Sequence, residues 1–403
     1  MVKVVFTNKE KEYYVGNLYF DKVGNKEMFS FAYSEEWLSN PIKFNIDPEL
    51  NMFKGRQFSS SGVFGFINDM IPDRFGKMIL DNNEINNAQK ENRIPRKLSI
   101  FDYLVLVNDV TRMGALRIKD ENDNYLDNNS ENAVPPYIYL RDIEQASIEF
   151  ENSGVFDKKE YQRLLMPGSS LGGARPKANI YHNDELWIAK FPSRNDTYDI
   201  EMWEKIALDL ARLCGINVPD SKLEKYSNLG STLLVSRFDR KSIERLHYQS
   251  FVTALTANDG DSGNYSYINL ASHIRSYFDN VNENLLELYK RVIFNYLINN
   301  TDNHLRNNGI LFTNGKMNLA PFFDVNPTFF IGDFALPLVK DKTLNKESII
   351  EESKYYGLSK QEGERLYESI AKIVFDNLEV VANSYGAKAK EIVALNAIIS
   401  KRI

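Results

Sequence analysis

Cysteine is almost absent from this chain: Cys214 is the only one in 403 residues. A lone thiol excludes an intramolecular disulfide framework and fits a reducing, cytoplasmic compartment. Histidine is scarce too, with His182, His247, His273 and His304 widely scattered, so no zinc-binding spacing arises. No run of about 18 apolar residues occurs, and no membrane span or membrane partner is expected. The opening residues, MVKVVFTNKEKEYY, alternate polar and apolar without an apolar h-region, so no signal peptide is expected. Positive charge is not in excess: 49 Lys and Arg against 55 Asp and Glu give a net charge of −6. That balance disfavours direct binding to a phosphate backbone. What is present is an ordinary globular mixture, 43% hydrophobic and 26% charged, with enough chain to bury a large core in two or three domains. Any chemistry must rest on carboxylates, amides, lysines and one useful histidine.

The order of patterns divides the chain. Segments 2–6, 13–20 and 27–33 are β-branched and aromatic, and read as strands. A helix is expected over 61–81, with Phe64, Ile67, Met70 and Ile71 on one face. Segments 99–107 and 115–119 read as strand or mixed, and the Asn-rich stretch 120–136, ending in Pro-Pro, as a linker or surface loop. Beyond it come a helix at 141–153 and short strands at 179–182 and 185–191 around Asn183-Asp184. A strong helix is expected over 196–213, then strands at 222–226 and 231–238. The longest amphipathic run is 283–299, and Asn314-Gly315 marks a hairpin within 309–320. About three helices are expected in 345–403.

Three segments carry the chemistry. The first is Gly168-Ser169-Ser170-Leu171-Gly172-Gly173-Ala174-Arg175-Pro176-Lys177, whose small residues let backbone N–H groups approach a phosphate; it is not a Walker A sequence. The second is Leu186-Trp187-Ile188-Ala189-Lys190-Phe191, a single charge in an apolar strand, similar to the lysine strand of protein kinases. Glu201 and Glu204, one turn apart on the following helix, are the alternatives for its carboxylate partner. The third is Thr301-Asp302-Asn303-His304-Leu305-Arg306-Asn307. Asp302 and Asn307 have the D-x-x-x-x-N spacing of a kinase catalytic loop, and Asp324 follows the predicted hairpin where kinases place a metal-binding aspartate. Hard oxygen donors of this kind suit Mg²⁺ completed by substrate phosphates. His304, inside the loop, is the histidine to keep, as a hydrogen-bond donor to a phosphate or as an organiser of the loop. The strand ending in Ser236-Arg237-Phe238-Asp239-Arg240 could meet a nucleotide base, with its charges read as a solvated exit.

Together these segments resemble the HipA family of bacterial toxin kinases over nearly the whole chain. Supporting matches are Asp69-Met70-Ile71-Pro72-Asp73-Arg74-Phe75-Gly76, Arg112-Met113-Gly114-Ala115-Leu116 and Asn217-Val218-Pro219. The most specific are Thr301-Asp302-x-His304-x-x-Asn307 and Pro321-Phe322-x-Asp324. The resemblance implies an α+β, two-lobed protein-kinase-like fold: a β-rich N-terminal subdomain (1–135), an ATP-binding small lobe (136–245) and an all-helical C-terminal lobe (246–403). It makes Asp302 catalytic with His304 beside it, and gives Mg²⁺ to Asn307 and Asp324. ATP falls to Gly172, Gly173, Ala174, Lys177, Lys190, Ser236, Phe238 and Asp239, with Ser170 also at the nucleotide. Ser170 matches the family's autophosphorylated serine, with Ser169 as the neighbouring alternative. The implied substrate is a serine or threonine in a protein of the translation machinery, such as an aminoacyl-tRNA synthetase. The implied partner is a HipB-like antitoxin with a helix-turn-helix domain, through which alone DNA would be reached. Two departures stand out: Asn303 where glycine or aspartate is common, and Ser236 where a glutamate can occur. A small-molecule phosphotransferase and a non-catalytic ATP- or antitoxin-binding regulator are the competing readings.

Overall fold

A computed structural model describes all residues except 25, 127–133, 155–174, 243, 259, 314 and 340–343. The chain forms two compact units. One comprises residues 1–195 with 236–249 and 253–256, and the other 196–235, 250–252 and 257–403. Both the β-rich N-terminal segment and the Lys190 strand belong to the first.

The first unit is built on five antiparallel strands: β1 (Val2–Asn8), β2 (Lys11–Val23), β3 (Lys26–Tyr33), β4 (Arg56–Phe58) and β5 (Leu116–Lys119). Their order is β4-β3-β2-β1-β5. Alternating side chains put Val4, Leu18, Phe29, Phe31 and Ile118 on one buried face, where Trp37, Phe64 and Ile67 complete the core. At Gly16, in β2 where the register to β1 shifts between Val4 and Val5, a Cβ would strike the Ala32 carbonyl of β3. The close strand approach therefore requires glycine.

Helices α1 (Glu35–Ser39), α2 (Gly65–Met70), α3 (Arg74–Lys90), α4 (Ile100–Leu106) and α5 (Leu140–Ser153) accompany the sheet. Two expectations are corrected here. The single helix over 61–81 is broken, because Ile71, which precedes Pro72, is extended at φ −86° and ψ 162°. Asp73 then restarts the chain by accepting from the Gly76 N–H at 2.8 Å. Segment 99–107 is helical, not strand, since Ser99 and Asp102 form a reciprocal capping box that outweighs the β-branched and aromatic content. The expected strands at 179–182 and 185–191 are β6 (Lys177–His182) and β7 (Glu185–Lys190), joined by Asn183 and Asp184 at positive φ.

His247 sits in an aromatic box, its ring centroid 4.9 Å from Phe44 and 6.1 Å from Phe6. Burial lowers its pKa to about 3, so the unfolded chain takes up a proton from about pH 6.5 downward while the folded chain refuses it. Stability is fully present above pH 6.5 and falls toward pH 3. Acidification from pH 7 to 5 should therefore lower the thermal midpoint of the wild type more than that of His247→Phe; equal slopes by calorimetry would contradict this.

The second unit contains α6 (Ile200–Leu213), the hairpin of β8 (Ser221–Glu224) with β9 (Thr232–Ser236, all but its last residue), α7 (Tyr267–Tyr277), α8 (Val281–Leu297), and the hairpin of β10 (Gly309–Thr313) with β11 (Lys316–Leu319). Helices α9 (Lys346–Glu351), α10 (Lys360–Ser384) and α11 (Ala389–Ser400) complete it. Asp199 caps α6, and α10 packs on both α6 and α8. Trp203 of α6 is fully buried and donates to Glu391 of α11 at 2.9 Å. Among the described residues no helix is long and apolar enough to cross a membrane.

Candidate active site

Helix α8 ends at Leu297, and two residues on Asn299 has a φ of +58°, a left-handed turn that asparagine tolerates. The chain then enters the Asp302 loop, a run that its asparagines hold in place by side-chain hydrogen bonds. Asn300 Nδ2 donates to Asn295 Oδ1 (2.8 Å), and Asn295 and Asn303 both donate to the Tyr267 hydroxyl (3.1 and 2.6 Å). Asn308 donates to the His304 carbonyl at 2.9 Å and to Asn303 Oδ1 at 3.3 Å. Asn303, the departure from the family pattern, is thus a buried strut. Sequence reading missed Tyr267, Asn295, Asn300 and Asn308, because i, i+5 amide pairing has no composition signal.

Asp302 is exposed, yet surrounding protein desolvates its carboxyl and raises its pKa; Asp324 raises it further, and His304 opposes both. The three groups therefore share one electrostatic site. Asp324 follows the β10–β11 hairpin at φ +57°, a strained conformation for a residue with a Cβ and one found disproportionately at functional sites. Asn307 is buried, and its Nδ2 donates to the Asp302 carbonyl at 3.4 Å, while its Oδ1 is buried without a hydrogen-bond partner. Two neighbouring carboxylates and an orphaned amide oxygen are hard donors of the kind that coordinate a divalent cation. The donor set fits Mg²⁺. His304 places a buried Nδ1 without a partner in the same loop. A cavity of about 460 Å³ opens beside the loop, lined by His304, Arg306, Ser262, Gly263, Val252 and Ala335 among others.

In the first unit, Lys190 ends β7 directly opposite Lys177 of β6. Two like charges across a strand pair repel, and Lys177 is offset by Asp73, 2.9 Å away and almost fully buried. Neither the pairing nor Asp73 was apparent from the sequence. Glu201 and Glu204 are both buried in α6. Ser236 and Phe238 are half-buried, the Phe238 ring 6.0 Å from Tyr248. The solvated exit expected at Arg237, Asp239 and Arg240 is a correction: Arg237 and Asp239 are buried and the Arg240 side chain is only 7% exposed. The Asp239 carboxylate accepts from Arg237, Arg240 and the Gly114 N–H, so it is committed to the protein's own donors. Ser169, Ser170, Gly172, Gly173 and Ala174 lie outside the described residues.

A mixed helix-and-sheet architecture carrying a D-x-x-x-x-N loop and a downstream left-handed aspartate defines an α+β, protein-kinase-like fold. Within that class, the chain belongs to the HipA-like family: the HipA-like C-terminal domain matches residues 169–378. A candidate kinase of Haemophilus influenzae is 26% identical over 179 residues, covering 39% of this chain and 52% of its own. The candidate kinase Y4dM of Sinorhizobium fredii is 25% identical over 198 residues, covering 45% and 44%. The chain thus spans about half the length of the curated relatives it matches. Among solved structures, HipA of Shewanella oneidensis, determined with HipB and operator DNA, superposes with a TM-score of 0.72 at 16% identity, covering 100% of this chain and 97% of that one. That likeness fixes the fold.

Proposed function

We propose that this protein is a kinase that transfers the γ-phosphate of ATP to a serine or threonine of a protein, with a component of the translation machinery as target. The observation that carries the reading is the Asp302 loop, which joins a desolvated carboxylate, the Asp324 carboxylate and the orphaned Asn307 oxygen. In this reading Asp302 accepts the proton of the acceptor hydroxyl, and its raised affinity for protons serves that task. Asn307 and Asp324 hold Mg²⁺, which when bound offsets the charge of the ATP phosphates. Lys190 contacts those phosphates, and Ser236 and Phe238 flank the base. His304 orders the loop through its carbonyl and keeps an imidazole beside Asp302. Little covalent chemistry is needed; positioning and charge do the work.

Family resemblance adds two further elements. Ser170 is the self-phosphorylated position, where a dianion would compete with ATP phosphates by repulsion. A helix-turn-helix antitoxin is the partner, and it brings this acidic protein to DNA. Phosphoproteomics of cells producing wild type against Asp302→Asn tests the reading. We expect a small set of phosphoserine or phosphothreonine sites, in a translation protein and at Ser170, only with the wild type. Phosphate on a small molecule and on no protein would overturn the protein-kinase assignment. No phosphoryl transfer of any kind would favour a binding regulator.

A further inference from the structure

We propose that Arg402, 100 positions beyond Asp302 in sequence, is a positioning residue for phosphoryl transfer; the proposal rests on the kinase reading above. It follows the last helix, α11, where sequence pattern assigns it nothing. Its guanidinium forks onto the end of α8: one nitrogen donates to the Tyr296 carbonyl and another to Asn299 Oδ1, the latter at 2.7 Å. The Tyr296 ring lies 4.5 Å and the Phe334 ring 5.5 Å from the guanidinium carbon. The Arg402 carbonyl is itself fixed by the Tyr367 hydroxyl of α10 at 2.5 Å.

Asn299 is the residue through which Arg402 acts. With its oxygen held by Arg402, its Nδ2 is turned to donate to the carbonyls of Thr328 (2.9 Å) and Phe330 (2.8 Å). Its own carbonyl accepts from the Thr328 N–H at 3.1 Å, and two residues on, the Thr301 carbonyl accepts from the Ala335 N–H at 2.8 Å. One fully buried side chain therefore ties the Asp302 loop to the stretch that follows Asp324. Arg402 fixes that side chain's orientation, and with it the separation of the two carboxylates on which metal binding and proton acceptance depend. Only a planar fork reaches both acceptors together; a lysine ammonium is a point charge on a flexible stem.

The test uses the full chain with Mg-ATP. In Arg402→Gln we expect ATP turnover to lose about tenfold or more in kcat, with KM for ATP within about twofold, because misplacing the reacting groups costs rate and not affinity. Arg402→Lys should recover part of the loss. Amides of 300–308 should exchange with solvent about tenfold faster in Arg402→Gln. Unchanged kcat with unchanged exchange would overturn the proposal, as would parallel losses of kcat and folded fraction. Should Arg402→Gln fail to fold, Asn299→Gly keeps the left-handed turn and removes the side-chain link from Arg402 to Thr328 and Phe330; wild-type kcat in that variant would equally overturn it. A wild type without Mg-ATP turnover whose loop amides still loosen in Arg402→Gln would refute the kinase reading, while the anchoring of the loop by Arg402 would stand.

Discussion

Asp302→Asn should lower phosphoryl transfer by about 10²–10⁴-fold, the span typical of losing a general base, while leaving the protein at least as stable as the wild type. The two halves of this expectation have one cause. Desolvation and the Asp324 charge both raise the pKa of Asp302, so its ionised form costs free energy in the folded state. An amide of the same shape removes that cost, and also the repulsion from Asp324. It cannot accept a proton, and it weakens the negative field at the orphaned Asn307 oxygen. Sign follows directly: a folded pKa above the usual aspartate value makes the ionised carboxylate a liability at neutral pH. Transfer of labelled phosphate and thermal unfolding, both measured on metal-free and Mg²⁺-supplemented protein, check it. In the metal-free protein, Asp302→Asn should melt at or above the wild type, and added Mg²⁺ should raise the melting temperature of the wild type more. Retained transfer would sink Asp302 as the base. A marked fall in metal-free melting temperature would mean that the carboxylate is structurally required.

Much of the proposed site is legible in the sequence because its residues lie close together there. The D-x-x-x-x-N spacing, the Asn314-Gly315 pair between β10 and β11 and the aspartate beyond it all lie within 23 positions, from Asp302 to Asp324. Short-range turn chemistry fixes their order. The same holds for β6 and β7, where Asn183 and Asp184 at positive φ form the turn that their residue types favour. The rest depends on partners distant in sequence. Asp73 offsets Lys177 across more than a hundred residues, and Arg402 reaches Asn299 across a similar span. Asparagines of the Asp302 loop make a buried hydrogen-bonded lattice on Tyr267, which no local pattern signals. The split of the 61–81 helix was readable at Pro72 and lost to hydrophobic periodicity, which continues across the break. Charges at 237–240 mislead for a different reason: charged residues are seldom buried unless paired, and besides pairing through Asp239 they are met by Asn179 and by residues 110–114, far away in sequence.

Removing one of those buried charges should have the largest effect on stability. Asp239→Asn is expected to cost about 3–5 kcal/mol, the usual penalty for breaking a buried ion pair on one side. Asp239 is fully buried; burial alone would raise its pKa, but Arg237 and Arg240 overcome this and hold it well below the usual carboxylate range. Its oxygens accept from Arg237 at 2.9 and 2.7 Å, from Arg240 at 2.5 Å, and from the Gly114 N–H at 2.8 Å. A second buried carboxylate, Asp109, pairs with Arg117 and Arg245. Cations already exceed anions here, and the surplus is met by backbone carbonyls of Asp109, Val110, Thr111, Arg112 and Gly114. An amide at 239 would leave two buried guanidiniums facing a neutral group and force an N–H toward one of them or toward the Gly114 donor. The exposed pair of Arg56 with Asp21 provides the contrast: Asp21→Asn should cost no more than about 1 kcal/mol. Urea unfolding of the three proteins distinguishes the cases, with Asp239→Asn losing midpoint and Asp21→Asn nearly matching the wild type. An Asp239→Asn midpoint within the Asp21→Asn range would show that the carbonyl cage, not the carboxylate, holds these arginines.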